Sequence, residues 1–388
     1  MLITDRIMEE TLKTTCLHDR HVALGAQMSP FGGFDMPIQY SGIIEEHNAV
    51  RHACGMFDVS HMGEILVSGP QAEEFVGYIF TNDVRGLEDG RILYGMMLYH
   101  SGGTVDDLLV YKFSDSRWLL VVNASNIEKD FAWVVENAEG YDVQVDNLSD
   151  FYGEIALQGP DSERIAKDVL GLDLSGLEFY GFVRTVLPPE RDGMPDADPE
   201  ARPAEDEPLI VSRTGYTGED GFEFYGSFAA IRNIWDRLMA AGVTPCGLGC
   251  RDTLRFEVGL PLYGHELSQD ISPVEAGLGM FVKMDKPSFI GKEVIGAQKT
   301  GGVTRKIVGI ELRDKAIPRA GYPVESEGEQ IGEVTTGYNS ISTGKSVCMA
   351  MLRKEFTSQG TEVQVRIRKK LFPGVVCKKR FYDKNYKK

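Results

Sequence analysis

The sequence predicts an α+β fold of two related antiparallel α+β units and a C-terminal β-barrel, arranged as three lobes around a central cleft. Two observations support this prediction: a strand–turn–helix segment that occurs twice, and a run of short alternating strands after about residue 288. The length of 388 residues also exceeds the usual size of a single hydrophobic core, so more than one domain is expected.

The repeated segment begins at Gly63 and again at Gly153, an offset of 90 residues. Each copy has a Gly-Glu pair, an apolar stretch, a Gly-Pro break and then polar or acidic residues, which favour a helix N-terminus. A weaker similarity links residues 102–111 with 215–225, because both combine glycines and acidic residues with an apolar strand. These patterns predict two related units whose corresponding turns face one another across a shared cleft.

Apolar residues at helical spacing predict the helices of these units. Ser125 and Glu128 have the spacing of a capping box for the third helix. The segment 188–208 is rich in proline and acidic residues, so it is predicted to be a surface insertion and not a domain linker. The predicted helices are Ile43–Ala53, Gln71–Phe80, Ile127–Ala138, Ser162–Leu170, Phe228–Ala241 and Asp252–Val258.

Short strands with alternating side chains predict the barrel in the last third of the chain. We expect the domain boundaries to place 1–58 with 148–285 in a first, discontinuous α+β unit, 59–147 in a second α+β unit and 286–388 in the barrel. The predicted barrel strands are Lys306–Leu312, Gln330–Thr336, Ser346–Met351, Glu362–Ile367 and Val375–Lys379.

The composition excludes several classes of protein. A formal net charge of -17 argues against nucleic-acid binding, which needs a positive field to displace counterions from phosphates. No stretch is apolar enough to span a membrane, and residues 1–15 mix charged with apolar residues, so a cytoplasmic protein is expected. The six cysteines are scattered, and Cys246 and Cys250 have no partner pair at zinc spacing, so both are expected to be reduced packing residues.

The segment 212–224 combines three glycines with three aromatic residues and three carboxylates, and it predicts a hairpin that opens onto a strand. Strand alternation would turn Phe222 and Phe224 to one face and Glu223 to the other. A carboxylate held in this way can bind an amide-like edge of a flat ligand. An acidic surface hairpin is the alternative.

Five motifs in fixed order resemble those of the aminomethyltransferases, the T-proteins of the glycine cleavage system, over nearly the whole chain. The resemblance implies transfer of an aminomethyl carbon from the lipoyl arm of the carrier H-protein to tetrahydrofolate, with release of ammonia and formation of 5,10-methylenetetrahydrofolate. No metal is expected, and because no glycine-rich loop follows a strand with dinucleotide or P-loop spacing, no tightly bound redox cofactor is expected. The motifs are Phe57–Gly63, Gly102–Leu108, Asn123–Asn126, Ser212–Glu223 and Gly247–Asp252.

The same resemblance assigns the site residues. Asp107 matches the catalytic aspartate, whereas Asp106 on the opposite strand face is expected to be solvated or to cap. Glu223 matches the carboxylate that accepts the paired N–H donors of the pterin ring. An ion pair of Arg251 with Asp252 or another nearby acid is the alternative to ligand binding by that arginine. The remaining ligand-binding positions are Tyr94, Asn123, Tyr180, Tyr216, Arg251 and Tyr386.

Two other functions of this fold stay open at this point. One is a folate-dependent demethylase that acts on a small amine or sulfonium donor. The other is a non-catalytic folate-binding protein of iron–sulfur cluster maintenance, and its cysteine-containing signature is missing from the nearest segment, Phe289–Glu293.

Two groups of polar residues do not have the geometry of an active site. Asp58, Ser60 and His61 are neighbours on one strand, so they cannot line up as a hydrolase triad. His47 and His52 are five residues apart and lack metalloprotease spacing, so a solvated or internally bonded helix face is expected.

The last eleven residues are strongly basic in an otherwise acidic chain. This asymmetry could attract the acidic H-protein or the glutamate tail of folate. Protection of a barrel edge against pairing is an equally good explanation. The basic residues are Lys378, Lys379, Arg380, Lys384, Lys387 and Lys388.

Overall fold

The computed structural model describes residues 12–189 and 208–387. Most of the insertion predicted at 188–208 therefore lies outside the described residues. In the described part, no helix is long and apolar enough to cross a membrane. The helices are α1 His18–Ala23, α2 Ile43–His52, α3 Ala72–Ile79, α4 Ile127–Asn137, α5 Ser162–Leu170, α6 Phe228–Ala240, α7 Leu248–Glu257 and α8 Lys292–Gly301.

Two sheets form the larger part of the molecule, beside a small hairpin of β1 and β2. The five-stranded sheet has the order β5-β6-β7-β4-β8, and the six-stranded sheet has the order β10-β11-β12-β9-β3-β13. The strands are β1 Gln27–Phe31, β2 Phe34–Gln39, β3 Gly55–Asp58, β4 Gly63–Ser68, β5 Ile92–Leu98, β6 Thr104–Ser114, β7 Arg117–Val122, β8 Gln144–Asn147, β9 Gly153–Gln158, β10 Phe182–Thr185, β11 Leu209–Ser212, β12 Gly221–Gly226 and β13 Thr244–Pro245.

The internal repeat is confirmed by the order of these strands. β4 and β9 are each followed by a helix and by three antiparallel strands, and β4 pairs with β7 as β9 pairs with β12. The apolar side chains of each sheet pack against its own helices and form separate cores. The exact domain boundaries stay a prediction.

The weaker similarity between 102–111 and 215–225 is wrong as a repeat. Residues 102–111 lead into β6, which lies between β5 and β7. Residues 215–225 lead into β12, which takes the place of β7. The similarity comes from glycine-rich turns that carry acidic residues, a local composition that does not determine strand order.

The predicted barrel is confirmed as a closed barrel with the order β14-β17-β16-β15-β18-β19. The prediction missed Pro323–Ser326, a short strand whose only fully buried apolar side chain is Val324. The barrel strands are β14 Arg305–Leu312, β15 Pro323–Ser326, β16 Glu329–Asn339, β17 Ser346–Arg353, β18 Glu362–Ile367 and β19 Lys370–Cys377.

The predicted helices are present, and one of them begins earlier than expected. α7 starts at Leu248, because the glycines before Asp252 allow close packing and do not form a loop. A Cβ atom on Gly247 would lie 2.2 Å from the backbone oxygen of Ile38. This earlier start places Arg251 within the helix, on the wall of the cleft.

Candidate functional site

A cavity of about 720 Å³ lies where both sheets meet the segment after the barrel. Its wall includes residues from β5, β6, β12 and α7 and from the end of the described chain. Every site residue predicted from the sequence lines this one cavity: Tyr94, Asp107, Asn123, Tyr180, Tyr216, Glu223, Arg251 and Tyr386.

The Asp107 carboxylate is held by two neighbours on the five-stranded sheet. Tyr94 Oη donates to Asp107 Oδ2 over 2.8 Å, and Asn123 Nδ2 donates to Asp107 Oδ1 over 3.1 Å. Burial, together with the charge of Asp106, raises the pKa of Asp107 to about 7, although both hydrogen bonds act in the opposite direction. The carboxyl can therefore exchange a proton near neutral pH.

The turn before Asp107 is fixed by packing. A Cβ atom on Gly103 would lie 1.7 Å from Gln269 O, so only glycine fits there. The next residue, Thr104, donates its backbone N–H to Ser268 O over 2.9 Å. These contacts fix the start of β6 and hence the position of Asp107.

Asp106 is fully buried. The expectation that it is solvated is therefore wrong. Its Oδ2 accepts the backbone N–H of Asn123, and its Oδ1 accepts from the side chains of Asn123 and Asn126. The capping box expected from Ser125 and Glu128 is wrong, because Ser125 lies in a 3₁₀ turn and Asn126 precedes α4 without a side-chain cap. Asp106 therefore anchors the loop that positions Asn123.

Glu223 projects from the predicted hairpin in the other sheet. β11 and β12 pair with Ser212 opposite Glu223, so the hairpin is confirmed. Phe222 and Phe224 lie in the core, whereas Glu223 is 6% exposed and faces the cavity. Thr214 Oγ1 donates to Glu223 Oε2. Burial raises the pKa of Glu223, while this hydrogen bond and the charge of Arg251 lower it.

Two of the hairpin glycines allow a close approach of a buried side chain. A Cβ atom on Gly215 or Gly221 would lie 2.0 or 2.4 Å from the Gln158 side chain. Gln158 Nε2 in turn donates to Thr214 O over 3.0 Å, and its Oε1 accepts from Thr217. These glycines make room for a buried glutamine that fixes the hairpin behind Glu223.

A chain of buried hydroxyl groups links the two sheets behind Glu223. Thr214 Oγ1 lies 2.6 Å from Ser212 Oγ, which lies 3.2 Å from Tyr111 Oη on β6. Tyr111 Oη lies 2.9 Å from Tyr225 Oη on β12. Because each hydroxyl can both donate and accept, the chain satisfies its own members and holds the sheets in fixed register.

Arg251 is available for a ligand. Among the residues that the structure describes, it has no carboxylate within ion-pair distance, and its neighbour Asp252 pairs instead with Arg255 over 2.7 Å. The guanidinium of Arg251 lies over the Tyr216 ring, 4.5 Å from its centroid. Tyr216 Oη donates to Pro261 O, which fixes that ring. The alternative for Arg251, an ion pair with Asp252 or another nearby acid, is therefore not formed among the described residues.

Aromatic rings form another part of the wall. Phe179 stacks on Tyr386 with centroids 4.5 Å apart, and its edge meets Tyr180 at 4.6 Å. Tyr180 has a φ of 59°, a conformation that costs a non-glycine residue about 1–3 kcal/mol. The backbone groups of Tyr180 bond to Arg213 and Ile92 and thereby hold it in place.

Several further residues line the cavity that sequence reasoning did not place there. Met280 is 72% exposed at the edge, and Phe281 packs on Tyr94 at 4.8 Å. Glu154 comes from the repeated Gly-Glu pair, a signal that the sequence contained. The basic residues singled out at the C-terminal end also reach the cavity, namely Lys378, Lys379, Arg380 and Lys384.

The residues of these two rejected active-site candidates form hydrogen bonds with other residues. Asp58 Oδ2 accepts from His21 and from Thr15, and Ser60 Oγ donates to Glu154 O, so no triad forms. His47 is buried and lies 2.9 Å from Thr253 Oγ1. Cys246 and Cys250 are free and buried in one apolar cluster, as expected. Within the described ranges, no group of three His, Cys, Asp or Glu residues is arranged to hold a metal.

Comparisons with known proteins agree with this geometry. The GCVT N-terminal domain family matches residues 17–188 and 200–286, and the glycine cleavage T-protein C-terminal barrel domain family matches 305–383. An aminomethyltransferase of Alkaliphilus oremlandii is 47% identical over 97% of this chain and 99% of its own length. An aminomethyltransferase of Lysinibacillus sphaericus is 47% identical over 97% of this chain and 100% of its own length.

A solved structure shows the same similarity in three dimensions. The glycine cleavage system aminomethyltransferase T of Bartonella henselae superposes with a TM-score of 0.87 at 32% identity, covering 97% of this chain and 100% of that one. The matches extend over both sheets and the barrel. The chain therefore belongs to the aminomethyltransferases, the T-protein family of the glycine cleavage system.

Proposed function

We propose that the cavity binds tetrahydrofolate and receives an aminomethyl group from the dihydrolipoyl arm of H-protein. In this reaction the S–CH₂ bond of the arm and the CH₂–N bond of the aminomethyl group break. Two folate nitrogens bond to the carbon, so that 5,10-methylenetetrahydrofolate, ammonia and the reduced arm are the products. The observation that carries the proposal is the convergence of Asp107 and Glu223 from two sheets on one aromatic-lined cavity.

Recognition of the folate ring falls to Glu223 in this proposal. The pterin presents a ring N–H beside an exocyclic amino group, and one carboxylate can accept from both. Thr214 fixes one oxygen of Glu223, which limits its rotation. Tyr180, Tyr216 and Tyr386 supply aromatic surfaces for the pterin and p-aminobenzoyl rings.

Asp107 handles charge and protons during transfer. A folate nitrogen that attacks the carbon becomes positively charged and must lose a proton, and the departing amine must gain one. An ionised Asp107 stabilises the positive charge and accepts the proton, and its pKa of about 7 also lets it return that proton. Asn123 and Tyr94 hold the carboxylate so that little reorganisation is needed at that step.

The basic residues at the cavity edge suit an anionic partner. Burial lowers the pKa of Lys379 and of Lys384 to about 8, so both retain substantial charge near neutral pH. They could bind either the glutamate tail of folate or acidic residues of H-protein.

The test is folate-dependent ammonia release from H-protein loaded with the aminomethyl group. We expect release to require tetrahydrofolate and to saturate with both substrates. Loaded H-protein without folate should release ammonia only at the slow uncatalysed rate. Equal release without folate, or efficient transfer from a small methylamine or sulfonium donor in place of H-protein, would contradict the proposal.

A further inference from the structure

The internal repeat brings two glutamates to the interface between the sheets. Glu64 is the second residue of β4, and Glu154 is the second residue of β9. The neighbouring Ile65 and Ile155 face the helices of their own units, so alternation turns both glutamates to the opposite faces. Glu64 is 1% exposed and Glu154 is 2% exposed.

These glutamates lack the partners that buried carboxyls normally have. Both carboxyl oxygens of Glu64 lack a hydrogen-bond partner among the described residues. The same is true of Oε2 of Glu154. Only Glu154 lines the cavity. An unbonded, buried polar atom costs about 1–3 kcal/mol, so Glu154 Oε2 indicates a partner that arrives with the ligand.

The protonation of Glu154 follows from its surroundings. Burial raises the pKa of Glu154 well above its usual range, and the charges of Glu223 and Glu64 raise it further. The charge of Arg251 and a hydrogen bond with Tyr225 act in the opposite direction. Glu223 has a donor in Thr214, whereas Glu154 Oε2 has none, so the negative charge of the pair belongs on Glu223. The groups that face Glu154 are Glu64 on β4, Tyr111 on β6, Glu223 and Tyr225 on β12, and Arg251 on α7.

We infer that Glu154 is a second ring-binding residue, which acts as a neutral carboxylic acid and donates a hydrogen bond to an acceptor atom of the tetrahydropterin. The inference rests on the proposed function. The pterin has acceptors, a carbonyl oxygen and ring nitrogens, as well as the N–H donors assigned to Glu223. An ionised and a neutral carboxyl on one wall match this mixed pattern, and they define which way the ring is turned.

The backbone of Glu154 is held firmly enough for this role. Ser60 Oγ accepts the N–H of Glu154 over 2.9 Å and donates to its carbonyl oxygen over 3.1 Å. Glu154 also lies opposite Tyr225 in the paired strands. The side chain therefore projects from a rigid central strand, as a residue that recognises a ligand requires.

Two substitutions separate the acid form from other roles. Glu154→Gln keeps a side-chain donor of nearly the same shape, and Glu154→Leu removes the donor while filling the space. By calorimetric titration of the full chain with tetrahydrofolate, we expect Glu154→Gln to bind within about threefold of the wild type. Glu154→Leu should weaken binding by about tenfold or more, because the ring acceptor is buried without a donor.

The outcomes are distinct. Wild-type affinity in Glu154→Leu would overturn the inference, and so would an equal loss in Glu154→Gln, which would mean that the ionised form binds. Melting temperatures and the matched variant Glu64→Gln, which alters a buried glutamate outside the cavity wall, identify effects on folding. If the wild-type protein itself did not bind tetrahydrofolate, the proposed function would fail first.

Discussion

The two sheets share one strand order and contribute unlike chemistry to the same cavity. In the five-stranded sheet, a carboxylate at the start of β6 has a pKa near neutrality and is held by an amide and a phenol. In the six-stranded sheet, a carboxylate on β12 is fixed by a threonine hydroxyl and faces aromatic rings. The repeat thus provides a common scaffold, but the two carboxylates lie on strands that do not correspond, β6 and β12, and in the proposed function they divide transfer from recognition.

Replacement of Asp107 by Asn gives the largest expected effect and tests the division directly. The amide cannot accept a proton, so turnover at saturating folate and H-protein should fall by about 10² to 10⁴. Folate binding should stay within about tenfold, because recognition is assigned to the other sheet. The exposed Asp142, changed to Asn, is the control in the same unit. Near-normal turnover of Asp107→Asn would refute the assignment.

Replacement of Glu223 by Gln should show the opposite pattern. One N–H of the amide would face an N–H of the pterin and the charge would be lost, which weakens binding by about 1.5–3 kcal/mol. We expect this loss in the dissociation constant for tetrahydrofolate, measured by calorimetry. Asp168→Asn, on the surface of α5, should bind as the wild type does. An unchanged constant in Glu223→Gln would mean that this carboxylate does not contact the ring.

Replacement of Lys378 and Arg380 by Glu reverses two positive charges. It tests whether a third region, outside both sheets, attracts a substrate. Both side chains are exposed at the cavity edge, whereas Lys379 bonds to Ala276 O over 2.5 Å and should be left intact. The apparent KM for H-protein should rise about fivefold, and the wild-type KM should rise with salt.

The matched control reverses Lys369 and Lys370, which are exposed on the barrel and do not line the cavity. An increase limited to polyglutamyl folate would assign the charges to the folate tail. If the KM for H-protein did not change with salt and monoglutamyl and polyglutamyl folate bound equally well, these charges would serve only to protect the barrel edge against pairing.

Replacement of Tyr94 by Phe should give the smallest effect and refine the role of the five-stranded sheet. The Tyr94 hydrogen bond lowers the pKa of Asp107, so its loss raises that pKa. If ionised Asp107 is the active form, turnover falls as the pH drops through about 7, and in Tyr94→Phe this fall should begin up to about one pH unit higher. Tyr78→Phe, whose ring stacks on Tyr141, is the control. A shift to lower pH would contradict the mechanism.

The sequence was sufficient where a pattern is long or repeated. The Gly-Glu and Gly-Pro repeat predicted both units, and strand alternation predicted the barrel and the direction of Glu223. The family resemblance assigned eight site residues, of which the first is Tyr94 and the last Tyr386. All eight line the cavity. Their roles in binding and catalysis stay predictions.

The sequence was insufficient where distant packing decides. Gly247 precedes the predicted helix, and its close approach to Ile38 is a contact that no nearby residue indicates. The burial of Asp106 depends on Asn126 and on a loop formed later in the chain. The repeated Gly-Glu pair marks the position of Glu154, but the burial of its side chain depends on the second sheet, which the local sequence does not indicate.

The segment after the barrel has a consequence for how the protein is made. It runs back to the end of α7, where Tyr382 N donates to Glu257 O, and to the turn before β12, where Asn385 N donates to Gly218 O, and it brings Tyr386 to the cavity wall. A nascent chain therefore carries Asp107 long before the cavity can close. If folate binds as proposed, its stabilisation of the folded state by mass action begins only when translation has passed Tyr386.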